Sequence, residues 1–170
     1  MTTEELRESL FAAPKNGYTT LTAEQREEME AYAKRYMAFM DAAKTEREAT
    51  AWTVTEAEKL GFQPYVPGMK AEPGDKIYYN NRDKAIALAV IGTEKLSMGA
   101  NICAAHVDSP RLDLKPNPLY EDAEIAYFKT HYYGGIKKYQ WPTVPLALHG
   151  VVCKKDGSSV TVTSEATTTM

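Results

Sequence analysis

The pattern of apolar residues along the chain changes at Gln63, and this change restricts the possible folds more than any other feature of the sequence. Before this position, apolar residues recur at spacings of three and four, which is the period of an amphipathic helix. After it, prolines and glycines separate short runs of β type at residues 77–79, 85–91 and 100–107. Because the two later runs are apolar almost throughout, they are typical of strands covered on both faces. The sequence therefore predicts an α/β fold in which helices precede a sheet.

Capping signals mark where the helices of the first sixty residues begin. Thr22 with Gln25, and Thr45 with Glu48, form two capping boxes, in which each side chain satisfies a backbone amide at the other position. The helix after the first box carries a methionine and tyrosine stripe, a pattern that lies in a core far more often than at a cofactor site. Gly61 is the natural end of the second helix.

Loops and strands alternate in the second half of the chain. Residues 108–122 contain three prolines and many polar side chains, which predicts a long ordered loop. Residues 123–130 and 144–152 are predicted strands, and the turn-forming residues 155–158 lead into a last strand. Long ordered loops usually carry function, so residues 108–122 are the first place to look for chemistry.

Charge and composition exclude several classes of protein. With 20 basic and 23 acidic residues, the chain has a net charge of −3 and therefore no excess of positive charge to bind a nucleic acid. No apolar run approaches the ~18 residues of a membrane span, and the acidic first residues favour a cytoplasmic protein. Cys103 and Cys153 lie far apart, so neither a disulfide framework nor a thiolate zinc site is expected, and both are predicted to be small buried residues.

His106 and Asp108 are the most suggestive local pair. They stand two residues apart at the end of an apolar run, and side chains at this spacing in a strand project from the same face. The imidazole can then bind a metal while the carboxylate fixes its tautomer, or both can be ligands. A lone His-x-Asp is more often structural, and the pair could equally be hydrogen-bonded in a metal-free binding module.

Other candidate residues have both a functional and an ordinary interpretation. His131 stands beside two tyrosines and the glycine pair 134–135, so it could reach a substrate pocket or lie on a solvated loop. His149 lies within an apolar run and is predicted to be a strand residue that faces an interface. Four basic side chains could recognise an acidic substrate or be merely solvated: Arg111, Lys115, Lys137 and Lys138.

A family resemblance favours the functional interpretation of the His106–Asp108 pair. The residues that carry it are HVDSPRLDLKP at 106–116, NPLYED at 117–122 and KTHYYGGIKKYQW at 129–141. Together they closely resemble the bacterial aspartyl aminopeptidase group of the M18 metallo-aminopeptidases, over about residues 10–157. The resemblance implies the first part of a zinc-peptidase α/β domain, with amino-terminal helices followed by a mixed β-sheet. It makes His106 the first ligand of a two-zinc centre and Asp108 the catalytic carboxylate beside it.

The same resemblance predicts the activity and the domain organisation. It implies a zinc-dependent, homo-oligomeric aminopeptidase that releases amino-terminal residues from peptides, with acidic termini favoured. The family's remaining metal ligands and its glutamate base follow an inserted oligomerisation domain. We therefore expect residues 1–143 to be the amino-terminal part of the catalytic domain and residues 144–170 to begin that insert, truncated.

The predicted zinc site is then incomplete, and we expect the chain alone to be inactive. Two alternatives stay open: a non-catalytic truncated product that associates with a longer relative, and the metal-free binding module.

Overall fold

The computed structural model describes residues 2–12 and 14–164 and divides the chain into two compact units, Met1–Met40 and Asp41–Met170. The helices come first and the strands follow, so the predicted α/β class is confirmed. The helices are α1 (Thr3–Leu10), α2 (Ala23–Ala42) and α3 (Glu46–Lys59). The strands are β1 (Gln63–Pro64), β2 (Lys76–Asn81), β3 (Ala85–Val90), β4 (Arg111–Asp122), β5 (Ile125–Tyr133), β6 (Leu148–Cys153) and β7 (Ser159–Ser164). Among the described residues, no helix combines the length and the apolar composition needed to cross a bilayer.

The start of α2 follows the predicted capping box. The Gln25 amide donates to the Thr22 hydroxyl at 3.2 Å, and the Gln25 side-chain oxygen accepts from the Thr22 amide at 2.9 Å. Farther along, the apolar stripe of α2 leaves Tyr32 and Met37 exposed. The prediction that the stripe lies in a core is therefore wrong for these residues in the described part of the unit.

Helix α3 packs on the first sheet of the second unit through small residues. Ala49 and Ala57 of α3 are buried, as is Tyr78 of β2, since the short alanine side chains let the helix approach the strands closely. The Tyr78 hydroxyl donates to the Glu58 carboxylate at 2.8 Å. Gly61 has a φ of 84°, as the predicted left-handed helix end requires.

The first sheet is mixed, as the sequence predicts. Strand β2 is central, with β1 parallel on one side and β3 antiparallel on the other. A tight turn joins β2 to β3, and Arg82 and Asp83 in it both have a φ of 58°, which is the mirror-image geometry that suits a hairpin. Most of β3 is exposed, so the expectation that both its faces are covered is wrong.

The structure contains no strand at residues 100–107. This extended segment joins no ladder among the described residues, and its side chains are exposed up to Val107, which is half-buried. An apolar run favours a strand only where a neighbouring edge offers hydrogen bonds, and sequence alone does not show that edge. Cys103 and Cys153 are also exposed, which corrects their predicted burial.

The predicted loop at residues 108–122 is instead largely strand β4. It pairs antiparallel with β5, and the register shifts between Leu114 and Leu119. Pro116 and Pro118 lie inside this irregularity, where the strand does not need the backbone donors that prolines lack. The prolines therefore mark a bulge rather than the absence of a strand.

The last hairpin, β6–β7, has the predicted turn. Gly157 has a φ of 84°, and the Ser158 amide donates to the Asp156 carboxylate at 2.9 Å. Strand β6 begins at Leu148, four residues later than the predicted start at residue 144. The two strands form their own sheet, in which β6 carries His149.

Glu48 joins the start of α3 to this hairpin. One of its carboxylate oxygens accepts from the Lys44 and Thr45 amides, each at 2.9 Å. The other lies 2.7 Å from His149 Nδ1, and both side chains of this pair are mostly buried. Burial by itself raises the pKa of Glu48, but His149 and the two amides outweigh it and hold that pKa below its ordinary value.

Replacing Glu48 by Gln is expected to lower the free energy of unfolding by about 1–2 kcal/mol near neutral pH, because the partly buried His149 loses its charged partner. A carboxyl whose folded-state pKa is depressed stabilises the fold above its unfolded-state pKa, and this stability is lost as the pH falls through the folded-state value. The difference between the two proteins should therefore shrink in acid. Urea unfolding at several pH values measures it. Glu56→Gln is the matched control, since Glu56 pairs with Lys59 at the surface and should change stability by less than about 0.5 kcal/mol.

Candidate functional site

His106 and Asp108 lie together although their segment is not part of a sheet. His106 Nδ1 is 2.7 Å from the main-chain oxygen of Asp108 and 3.2 Å from its carboxylate oxygen Oδ1. Both oxygens can only accept, so Nδ1 of a neutral imidazole carries the proton. The lone pair then lies on Nε2, and the His106 side chain is 80% exposed. The imidazole thus presents a ligating nitrogen away from its neighbour.

Tyr133, the last residue of β5, holds Asp108 in its ionised form. The Tyr133 hydroxyl is the main reason that the pKa of the Asp108 carboxyl lies below its ordinary value, and His106 acts in the same direction, whereas desolvation opposes it. In return, Asp108 raises the pKa of Tyr133. Near neutral pH the phenol therefore stays protonated and the carboxylate stays ionised, and each state stabilises the other.

Arg111 stands directly across the hairpin from Tyr133. The two residues are register partners on β4 and β5, and the guanidinium carbon lies 4.2 Å from the centre of the tyrosine ring. Two carboxylates hold the guanidinium: Asp113 Oδ1 is 2.7 Å from Nε, and Glu46 Oε1 is 3.0 Å from Nη2. Burial by itself lowers the pKa of Arg111, but these carboxylates outweigh it and raise that pKa. Arg111 is therefore an internal ion-pair residue rather than a solvated one.

Sequence reasoning missed Tyr133 and Glu46 as parts of this cluster. The sequence places Tyr133 beside His131 in the motif at residues 129–141 without giving it a role, and it gives Glu46 no role either. The register of the β4–β5 hairpin would have pointed to Tyr133, but residues 108–122 were predicted to be a loop. For Glu46 no sequence signal exists, because α3 meets Arg111 only through the tertiary fold.

His131 lies in a groove on the same hairpin. It is the register partner of Asp113, and its ring stacks on Tyr132 with 5.6 Å between ring centres. Lys138 Nζ lies 4.1 Å from the centre of the Tyr132 ring. The groove has a volume of about 450 Å³, and its lining includes Leu112, Lys115, His131, Tyr132, Lys138 and Trp141. Two of the four candidate cations therefore line the groove that contains His131.

His106 and Asp108 fit one part of a metal site. Within the described ranges, no group of three histidine, cysteine, aspartate or glutamate side chains is placed to hold a metal ion. Catalytic zinc takes three protein ligands and leaves one position open, whereas this pair offers one imidazole and one carboxylate. The described residues alone therefore do not fit a complete zinc site. His149 does not join this pair in such a group, and its Nδ1 bonds to Glu48.

A family model described as aminopeptidase I zinc metalloprotease, M18, matches residues 39–168. Among curated relatives, a probable M18 family aminopeptidase 1 from Clostridium acetobutylicum is 48% identical over 152 residues, which are 87% of this chain and 33% of the relative. A protein of the same name from Thermotoga maritima is 48% identical over 142 residues, covering 81% of this chain and 30% of the relative. The chain thus spans about a third of the length of these relatives.

Solved structures give the same result for the fold. The crystal structure of aminopeptidase I from Borrelia burgdorferi matches with a TM-score of 0.83 and 42% identity, and the match covers 88% of this chain and 37% of that one. The M18 aminopeptidase from Thermotoga maritima matches with a TM-score of 0.79 and 44% identity, over 90% of this chain and 33% of that one. The fold described above therefore has counterparts among solved structures.

Proposed function

This chain belongs to the M18 family of zinc metalloproteases, and from that premise we propose that it supplies part of the active site of an aminopeptidase. The family resemblance noted in the sequence is thereby confirmed. The observation that carries the proposal is the contact between His106 and Asp108, because it leaves Nε2 of the imidazole as the free ligating nitrogen. The proposed reaction is the release of amino-terminal residues from peptides.

In this proposal, His106 is a zinc ligand through Nε2, and Asp108 is the catalytic carboxylate that fixes its tautomer and orientation. A centre of two zinc ions is proposed, to which these residues contribute only a part. Because the described residues do not complete a zinc site, no step of the reaction is assigned to the metal. What this chain contributes is an oriented imidazole beside a carboxylate that is kept ionised by Tyr133.

The proposed substrates are peptides with an acidic amino-terminal residue, and His131 is the proposed substrate-binding residue. Support comes from the groove that contains His131, where Lys115 and Lys138 supply positive charge and Trp141 supplies an apolar surface. An acidic side chain would find a complementary charge there.

We further propose that residues 1–143 belong to the catalytic domain and that residues 144–170 begin an inserted oligomerisation β-domain. The β6–β7 hairpin supports this assignment, since it forms a sheet of its own and leaves Val151, Val152 and Val160 exposed. Homo-oligomerisation and a cytoplasmic location stay part of the proposal.

The purified 170-residue chain is expected to show no zinc-dependent hydrolysis of peptides that begin with Asp or Glu. Loss of a general base alone typically slows such reactions by ~10²–10⁴-fold, and here the metal site is incomplete as well. The measurement is release of the amino-terminal residue after chelation and after zinc addition, with His106→Ala as the matched control. Zinc-dependent turnover that disappears in His106→Ala would show that the chain already contains a complete site.

A further inference from the structure

We propose that Arg111 is a positioning residue for the segment 106–110, and that it transmits the position of Glu46 on α3 to His106 and Asp108 through Ser109 and Tyr133. The importance of this segment rests on the function proposed above. The contacts themselves, and the experiment that tests them, do not depend on that function.

The first step of the argument is that Arg111 is itself fixed. Its guanidinium bonds Asp113 of its own strand at 2.7 Å and Glu46 of α3 at 3.0 Å, and its side chain is only 26% exposed. Two carboxylates on different nitrogens determine both the position and the plane of the group. Since α3 is packed on the first sheet, the Glu46 contact ties the β4–β5 hairpin to the packed part of the unit.

The second step is that Arg111 reaches the segment by two routes. One runs through the Tyr133 ring, 4.2 Å from the guanidinium, because the hydroxyl on this ring lowers the pKa of the Asp108 carboxyl. The other is direct, because Nη1 donates to the main-chain oxygen of Ser109 at 3.4 Å. Both routes therefore end on consecutive residues of the segment.

A close approach at Gly134 supports the same arrangement. Gly134 follows Tyr133 and has a φ of 76°, and a Cβ at this position would lie 3.4 Å from Pro110. The end of β5 thus lies against the segment without intervening space, in a backbone conformation that glycine adopts readily. The segment is held against the hairpin from Asp108 to Pro110.

The third step is that, in the part of the chain that the structure describes, no strand of a sheet holds His106 in place by backbone hydrogen bonds. Residues 100–107 join no ladder among the described residues, so strand pairing does not fix the position or the orientation of the His106 imidazole. The imidazole instead bonds Asp108. Asp108 precedes Ser109, whose main-chain oxygen accepts from Arg111, and the Tyr133 hydroxyl lowers the pKa of Asp108. A change at Arg111 should therefore alter His106 although Arg111 does not contact it.

The test is nuclear magnetic resonance of the labelled 170-residue chain without metal, at about pH 8, where a free histidine is mainly neutral. Two signals are measured: the ring nitrogens of His106, which report its tautomer, and the order parameters of the amides at residues 107–109. Tyr133→Phe keeps the ring beside Arg111 and removes only the hydroxyl. Arg111→Lys keeps the charge but loses the planar fork. Tyr132→Phe is the matched control, since Tyr132 is the neighbouring strand residue and its side chain points to the opposite face.

In the unchanged chain we expect the Nδ1-protonated tautomer to dominate and the three amides to have order parameters near 0.85. Tyr133→Phe and Arg111→Lys should lower these values below about 0.6 and mix the two tautomers, whereas Tyr132→Phe should change neither signal. Unchanged signals in both of the first two variants, with the contacts between β4 and β5 retained, would overturn the proposal.

Glu46→Gln keeps the test decisive if a hairpin variant loses its fold. Glu46 lies on α3, outside the hairpin, so this change leaves the β4–β5 ladder intact while weakening the hold on Arg111. Increased mobility at residues 107–109 supports the proposal, and unchanged mobility contradicts it. Because the measurement uses neither zinc nor substrate, its outcome and that of any aminopeptidase assay are independent of each other.

Discussion

His106→Ala is expected to abolish the zinc-dependent activity of a chimera in which residues 39–168 of this chain replace the matching segment of the Clostridium acetobutylicum relative. That relative is 48% identical to this chain over 152 residues, so the graft should fold, and the proposed function requires the remainder of the relative to provide the rest of the site. Loss of a residue that merely supports a metal ligand costs about 10- to 100-fold, and loss of the ligand itself should cost more than that upper limit. The measurement is kcat/KM on Asp- and Glu-terminal peptides together with the bound zinc content.

The control for this experiment is His149→Gln in the same chimera. His149 pairs with Glu48 and is in no group of candidate metal ligands among the described residues, so its replacement should lower thermal stability while leaving kcat/KM within a few-fold of the parent chimera. A folded, active chimera that keeps its zinc-dependent rate without His106 would refute the proposed role of this residue. A folded chimera that is inactive beside an active parental relative would count against the proposed function as a whole.

Asp108→Asn in the chimera is expected to reduce kcat/KM by about 10- to 100-fold, which is a smaller loss than for His106→Ala. The reason is that His106 Nδ1 bonds two oxygens of this residue, and the substitution changes only the carboxylate. The main-chain oxygen, at 2.7 Å, continues to fix the tautomer, whereas the negative charge beside the imidazole is lost.

Asp122→Asn serves as the control for Asp108→Asn, because Asp122 is an exposed carboxylate at the end of strand β4 and its replacement should leave kcat/KM unchanged. An Asp108→Asn chimera as active as its parent would assign Asp108 a structural role only. A loss as complete as that of His106→Ala would indicate that its carboxylate contacts the metal itself.

Local chemistry explains which parts of this fold were predictable from the sequence. The capping boxes at Thr22 and Thr45, the helix end at Gly61 and the turn at residues 155–158 each depend on residues within a few positions of one another. Strand β4 was missed because Pro116 and Pro118 suggest a loop wherever the partner strand, and with it the bulge, is unknown.

The contacts in and around the candidate site are likewise of two kinds: local ones, which the sequence predicts, and long-range ones, which it does not. The contact between His106 and Asp108 spans two residues, so the spacing alone suggested it. The contacts of Arg111 with Glu46 and of His149 with Glu48 join segments far apart in the chain, and the second spans 101 positions. No periodicity or motif connects such pairs, because they arise only when α3 and the hairpins are packed together.

The order of the strands has a consequence for how the protein is made. Each ladder of the described residues joins two strands that are consecutive in the chain, so each pairing closes a short loop with a small entropic cost. A chain leaving the ribosome from its amino terminus can therefore complete these pairings one after another during translation. Helix α3 and the first sheet leave the ribosome before Arg111 and His149 do. Glu46 and Glu48 on α3 are therefore available to bind Arg111 and His149 when the two later hairpins emerge.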